Sequence, residues 1–482
     1  MRNKTILAIF VIIVANLKSE IIKENILLEY PFNFTTKNNQ YLFKSDDFYL
    51  DLFRSNFSKE NFKRKDNFPK INDLTKREKE NTLYSIELSA SVTDSIRYDK
   101  DDDENLNSLS LKNNTLINIG KNLTLYNQML LDQALYDNPN YSGKKWNGLA
   151  GYTRVAFCEY RYNFLTARFG KYPVDQGVSN FDNLLFSETH EGFTKLHLIA
   201  NFDHFSFETF SGKLNSIDRN ISMHRVKFDI NRYIKFNITE VAVYTGETNI
   251  EYVNPFTFYH GVQLNGGGES NTIGYFEFET YPTDYLRIYS GLLIDDIQVE
   301  EKSVGDLEPN ELGWIIGFSF KDIISKDDLF EYEYSGITNR TFNTTHKGQK
   351  FMLGEADSET ELLGNKLGND FDIHRARYIN KVNNSIKWNI SLSYLRKGEG
   401  SVQGDFDEPW EEFTLEEGYS EKFPYGDIKY TFESEIGVNY NYKNLINFDL
   451  HTLYSKTMNE DYNIKVGLSI STTIEYFKMG SI

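Results

Sequence analysis

The sequence predicts an all-β chain: a closed, antiparallel transmembrane β-barrel of about eighteen strands, preceded by a small helical or irregular periplasmic segment. Three observations carry that expectation. Apolar and polar residues alternate at period two over most of the chain. The connections between the alternating segments are short and long by turns. Beyond the N-terminus there is no apolar run of the ~18 or more residues that a spanning helix needs.

The last strand is the clearest case. Tyr462, Ile464, Val466, Leu468, Ile470, Thr472, Ile474 and Tyr476 alternate with Asn463, Lys465, Gly467, Ser469, Ser471, Thr473 and Glu475. Period two puts each set on its own face. The run outlasts the usual ~5–6-residue soluble strand and meets the ~9–11 residues that a tilted spanning strand requires. One face suits lipid and the other water, with a Tyr at each end of the apolar set.

In chain order, residues 1–19 read as a signal peptide. Arg2 and Lys4 precede a short apolar core from Ile6 to Ala15. Cleavage is expected near Ser19, with export to the cell outer membrane. Residues 20–80 form a separate periplasmic or plug segment, with helical spacing after Ser45, and the barrel occupies 81–482. Within the barrel, alternation recurs as in Tyr84/Ile86/Leu88, Trp314/Ile316/Phe318/Phe320 and Ile446/Phe448/Leu450. Short connections lie at 120–122, 161–162, 232–235, 281–284 and 441–444. Longer ones separate them, at 171–192, 215–222, 247–269, 338–368 and 397–427. Short periplasmic turns and long outer loops are the outer-membrane arrangement. In hydrocarbon every backbone polar group must be paired, so the sheet has to close.

Composition narrows the function. A mean hydropathy of −0.52 excludes a helical membrane protein, but strands that alternate average out and are untouched by it. Asp and Glu number 70 against 52 Lys and Arg, a net charge of −18, which opposes nucleic-acid binding. The single cysteine, Cys158, leaves no internal disulfide framework and reads as a small residue on a packed strand. No metal spacing, nucleophile elbow or phosphate loop is present, so no enzyme activity, cofactor or metal is expected. The scattered histidines alternate with apolar neighbours and are expected mostly as lumen wall groups.

The candidate site is the loop 397–427. Phe406, Trp410, Phe413 and Tyr419 stand beside Asp407 and other acids. Aromatic faces stack on sugar rings and carboxylates accept from hydroxyls, so the loop suits carbohydrate. A plain solvated rim is its other reading.

A second set of pieces occurs in order between about residues 150 and 320. They are Gly170-Lys171, Gly177, Leu184-Leu185-Phe186-Ser187, His224-Arg225, Glu240, Tyr244, Asn254-Pro255-Phe256, Tyr259, Asn271, Asp295-Asp296 and Pro309-Asn310 with Gly313. This set resembles the capsule assembly protein Wzi family, with departures at Asp175-Gln176 and Glu311. The resemblance implies a barrel of about eighteen strands with periplasmic helical material, and assembly or attachment of surface polysaccharide. His224, Arg225 and Asp295 are therefore the second candidate ligand-binding set. The expected partners are surface polysaccharide and outer-membrane lipid, with the protein a monomer. The rival expectation is a porin-like channel for small solutes.

Overall fold

The computed structural model describes residues 82–99, 105–133, 136, 143, 145–187, 192–214, 218–266, 270–297, 307–326, 328–354, 362–383, 385–442 and 446–481. The expected signal peptide (1–19) and the segment 20–80 lie outside the described residues.

Strands β1 (Thr82–Asp99), β2 (Asn105–Ile119) and β3 (Leu123–Asp132) open the wall. A two-residue strand, β4 (Lys145–Trp146), clips onto the start of β5 (Leu149–Tyr162). The wall continues with β6 (Leu165–Tyr172), β7 (Phe193–Asn201), β8 (Phe205–Lys213), β9 (Arg219–Asn231) and β10 (Ile234–Thr245). Next come β11 (Ser270–Thr283), β12 (Leu286–Asp296), β13 (Glu311–Lys321), β14 (Leu329–Ile337) and β15 (Phe371–Lys381). Finally β16 (Ile386–Lys397), β17 (Lys429–Tyr442), β18 (Ile446–Thr457) and β19 (Tyr462–Ser481) complete it.

Successive wall strands pair antiparallel, β3 pairing with β5 past the clip. β1 pairs with both β2 and β19. Its seam with β19 runs from Tyr84 opposite Gly480 to Asp99 opposite Lys465. Setting the clip β4 aside from the 19 strands leaves eighteen in a closed ring. Closure removes the open edge that would otherwise expose unpaired backbone to lipid.

Connection length alternates around the ring as expected. One end carries tight turns such as 120–122, 163–164, 232–233 and 284–285. Gly120 (φ 58°) and Asn163 (φ 51°) take the left-handed conformation there, which Gly and Asn tolerate best. The other end carries the loops 173–192, 246–269, 338–370 and 398–428. Two boundaries differ from expectation. β5 runs through Arg161 and Tyr162, so its turn is Asn163-Phe164. β9 begins at Arg219 inside the expected loop 215–222, because Asn220 Nδ2 donates to Gly246 O (2.9 Å) and β9 pairs with β10 up to Thr245.

The two faces of the wall are chemically distinct. Outward residues include Leu468 (39% exposed) and Ile470 (43%), matching the face assigned to the last strand. Cys158 is exposed on the outer face of β5, beside Tyr160 on the same parity, and is not packed. Many inward positions carry charges that pair with one another. Arg168 Nε donates to Glu159 (2.6 Å), His197 and Lys227 each meet Glu208 at 2.9 Å, and Arg377 meets Glu331 at 2.6 Å. Charges taken out of bulk water need such partners. Beside β17, β18 and β19 the lumen holds a polar cavity lined by Glu433, Ser455, Glu460, Asn463 and Lys465.

The strand histidines divide between the two faces, where lumen-facing groups were mostly expected. His197 points inward, with its Nδ1 2.9 Å from the Tyr172 hydroxyl, and so does His451, opposite Gly467. His224 and His374 point outward. His224 shares parity with Phe228 and Ile230, both exposed on the outer wall, and His374 stacks on outward Tyr334 at 4.5 Å.

Candidate functional site

Two long loops build the candidate site at the mouth, and a third closes the lumen beneath them. The loop 398–428 is anchored by Asp370, which ends the neighbouring loop 338–370. Its carboxylate accepts from the backbone N–H of Gly400 and of Tyr425, both at 2.8 Å. Lys397 Nζ adds bonds to Asn369 O (2.5 Å) and Gly400 O (2.7 Å). Burial holds the Asp370 carboxyl above its ordinary range, despite these donors.

Arg340 joins the two loops. Its guanidinium donates to Asp407 Oδ1 (2.7 Å) and to Glu421 Oε1 (2.8 Å from Nη2, 3.1 Å from Nε). It also lies 4.7 Å from the Trp410 ring centroid and 5.3 Å from that of Phe406. A planar guanidinium satisfies both demands at once, with its edge hydrogen-bonded and its face on a ring. Burial alone would lower its pKa, but the bonds to Asp407 and Glu421 outweigh it and hold the group above its usual value. Tyr419 donates to Glu421 Oε1 (2.8 Å), and burial followed by that carboxylate raises the phenol.

The aromatic residues singled out from the sequence do converge. Phe406 meets Trp410 edge-on at 6.0 Å, Trp410 meets Tyr419 at 6.2 Å, and Phe413 meets Tyr419 at 5.2 Å. Their expected role changes for one member. Trp410 is 3% exposed, so its face is spent on Arg340 and offers no free stacking platform. It is the hub on which the loop folds, in a short 3-10 turn over Pro409–Glu412. Phe413 and Leu415 remain exposed, in a stretch that also exposes Asp405, Glu408, Glu411, Glu412 and Glu416, while the Asp407 side chain is 66% exposed.

The second candidate set does not form one site. His224 lies outside the wall, with Nε2 3.0 Å from Glu240 Oε2. Arg225 lies inside, bonded to Glu277. Adjacent strand residues necessarily face opposite ways. Asp295 is buried at the long-loop end of β12 and faces inward, where its carboxylate accepts from Phe342 N.

Beneath the mouth, loop 173–192 dips into the lumen. Arg287 donates to Asn180 Oδ1 and Val178 O, both at 2.7 Å, and Arg377 donates to Asn180 O (2.9 Å). The Phe181 ring lies 4.6 Å from the Arg377 guanidinium and 5.7 Å from that of Arg375. Asp182 pairs with Arg375 (2.7 Å) and Lys366 (3.3 Å). Burial pushes the Asp182 carboxyl up, but Arg375 and then Lys366 outweigh it and hold it below the usual carboxylate range. Loop 338–370 caps this dip. Ser187 N donates to Leu363 O (3.0 Å), Phe351 packs on Phe186 at 5.5 Å, and Arg219 donates to Lys350 O (2.7 Å) and Met352 O (3.0 Å). The lumen is therefore filled beside β7–β15, where the large apolar cluster lies. Among the described residues no group of three or more His, Cys, Asp or Glu could hold a metal ion.

No protein-family model and no curated protein matches the sequence. Solved structures do match the fold. Wzi of Escherichia coli, an outer-membrane protein described as involved in group 1 capsule assembly and as a carbohydrate-binding β-barrel, aligns with TM-score 0.53 at 13% identity, over 83% of this chain and 86% of that one. OccD3 (OpdP) of Pseudomonas aeruginosa aligns with TM-score 0.49 at 9% identity, over 82% and 93%. OprD of the same organism aligns with TM-score 0.46 at 8% identity, over 82% and 97%. The likeness to Wzi is one of fold. This chain shares the closed β-barrel architecture of outer-membrane proteins.

Proposed function

We propose that this protein is an outer-membrane barrel that binds or organises exopolysaccharide at the cell surface, as a non-enzymatic monomer in the manner of capsule assembly proteins. The observation that carries the reading is the clamped mouth. Loops 338–370 and 398–428 are joined through Arg340, and loop 398–428 exposes Phe413 and a series of carboxylates to solvent. A polyhydroxylated chain meets there an apolar patch for its sugar faces and acceptors for its hydroxyls. The architecture shared with a carbohydrate-binding barrel and the ordered motif set from residue 150 to 320 favour the same partner.

Deletion of residues 405–417 tests it, since a surface loop carries little of the closed sheet's stability. The barrel should still fold, and polysaccharide retained on the cell surface should fall. Undiminished retention by cells holding the folded deletion variant would contradict the reading.

One observation favours a second reading, a channel for small solutes. The polar cavity beside β17–β19 lies away from the inserted loops. Steady single-channel conductance in planar bilayers would favour the channel, and a sealed bilayer would favour the binding protein.

A further inference from the structure

Loop 246–269 does not join the mouth. It carries two helices, α1 (Ile250–Val253) and α2 (Tyr259–Gly266), and folds down over the outside of the wall. The register of β8 to β11 shows what lies beneath it. Phe205, Phe228, Phe236 and Phe278 form one outward row across these strands. Phe207, Val226, Ile238 and Phe276 form the row above. The next row, toward the long-loop end, turns polar: Thr209, His224, Glu240 and Gly274. The apolar belt therefore stops between Ile238 and Glu240.

An unpartnered carboxylate at the edge of that belt would be costly. The loop supplies its partners. Glu240 accepts from Tyr259 N and His260 N, both at 2.9 Å, which caps the start of α2 from the wall. His224 Nε2 and His260 Nδ1 complete the shell at 3.0 and 3.2 Å. Tyr244, Tyr252 and Tyr259 pack together under the helices, and the Tyr252 and Ser270 hydroxyls are 2.5 Å apart. Polar groups and tyrosines are thus turned toward the barrel. Turned away are four large apolar groups, Ile250, Phe258 and Leu264, all strongly exposed, and Phe256, 86% exposed; the polar residues exposed with them are Glu247, Thr248, Glu251, Asn254 and Asn265. Phe256 also stacks on Phe207 at 5.6 Å, which sets it level with the last apolar row.

We propose that this loop is a membrane-dipping element: it lies at the boundary of the outer leaflet, with Ile250, Phe256, Phe258 and Leu264 immersed in lipid. The patch is continuous with the lipid-facing belt, and aromatic and aliphatic groups at that height partition into the interface. The inference does not depend on the polysaccharide reading; it requires only that the belt meets lipid.

Spin labels test it in protein reconstituted into phospholipid vesicles, with Cys158→Ser removing the native thiol. Phe256→Cys and Leu264→Cys carry the label in the loop, while Ile238→Cys marks the belt and Glu416→Cys marks water. Collision with molecular oxygen, relative to a water-soluble nickel chelate, should be several-fold higher at 256 and 264 than at 416, and of the same sense as at 238. Nickel-dominated collision at 256 and 264 with oxygen-dominated collision at 238 would overturn the proposal. Exclusion of both reagents would overturn it too, since that marks contact with a second copy. Nickel-dominated collision at 238 would instead refute the lipid-facing belt itself.

Discussion

At the scale of single residues, strand parity and long-range pairs decide where each side chain lies. Leu468 faces outward and Ser469 inward on β19. Leu468→Arg should cost ~2–4 kcal/mol in a folding titration into lipid if it meets the bilayer midplane, and Ser469→Arg much less. Equal costs would mean that the faces are misassigned. The same parity places His224, since it shares a face with Val226, Phe228 and Ile230; that signal stands in the sequence and locates His224 outside the wall. Arg340 is different. Its partners Asp407 and Glu421 are 67 and 81 residues away, and no local pattern marks it. Arg340→Lys keeps the charge but loses the fork and the flat face. Proteolysis within residues 405–420 should then become markedly faster while the barrel stays folded. Unchanged proteolysis would show that the loop is held by its aromatics alone.

Elements were legible to the extent that their physics is local. Alternation and turn residues mark the wall strands of β1 to β19, because a two-residue period and a tight turn are written in neighbouring residues. Where the long loops go was not legible. Loop 173–192 enters the lumen through Arg287, Arg375 and Arg377, which lie on strands far along the chain. Loop 246–269 turns outward onto Glu240. The expectation that exposed aromatics crown loop 398–428 failed at Trp410, since a large flat ring beside a guanidinium is worth more buried than wet.

The inserted loop makes a prediction at this scale. Asp182 has a folded pKa depressed below its unfolded value, so its contribution is fully present above the unfolded carboxylate range, ~3.9, and is lost as pH falls through the folded value. Hydrogen exchange of residues 176–186, corrected for intrinsic rate, should stay slow from pH 8 to 5 and quicken only below ~4. Asp182→Asn should loosen the loop by ~1–3 kcal/mol at neutral pH. A quickening near pH 6 would show that a group other than Asp182 holds the loop.

For the whole molecule, the enclosed lumen and the outward apolar belt both depend on one property, closure of the sheet between β1 and β19. An open sheet would leave two edges in hydrocarbon, each with unpaired backbone groups. The most direct test joins the seam. Ser95 lies opposite Ser469 across it, both on the inner face. In a Cys158→Ser background, Ser95→Cys with Ser469→Cys should form an intramolecular disulfide in membrane-embedded protein, seen as a shift of the denatured, unreduced chain on a gel. Glu433→Cys with Ser455→Cys, opposed across β17 and β18 within the continuous chain order, supplies the reference pair. Cross-linking of both pairs is the result expected of a closed barrel; cross-linking of the reference pair alone would contradict it.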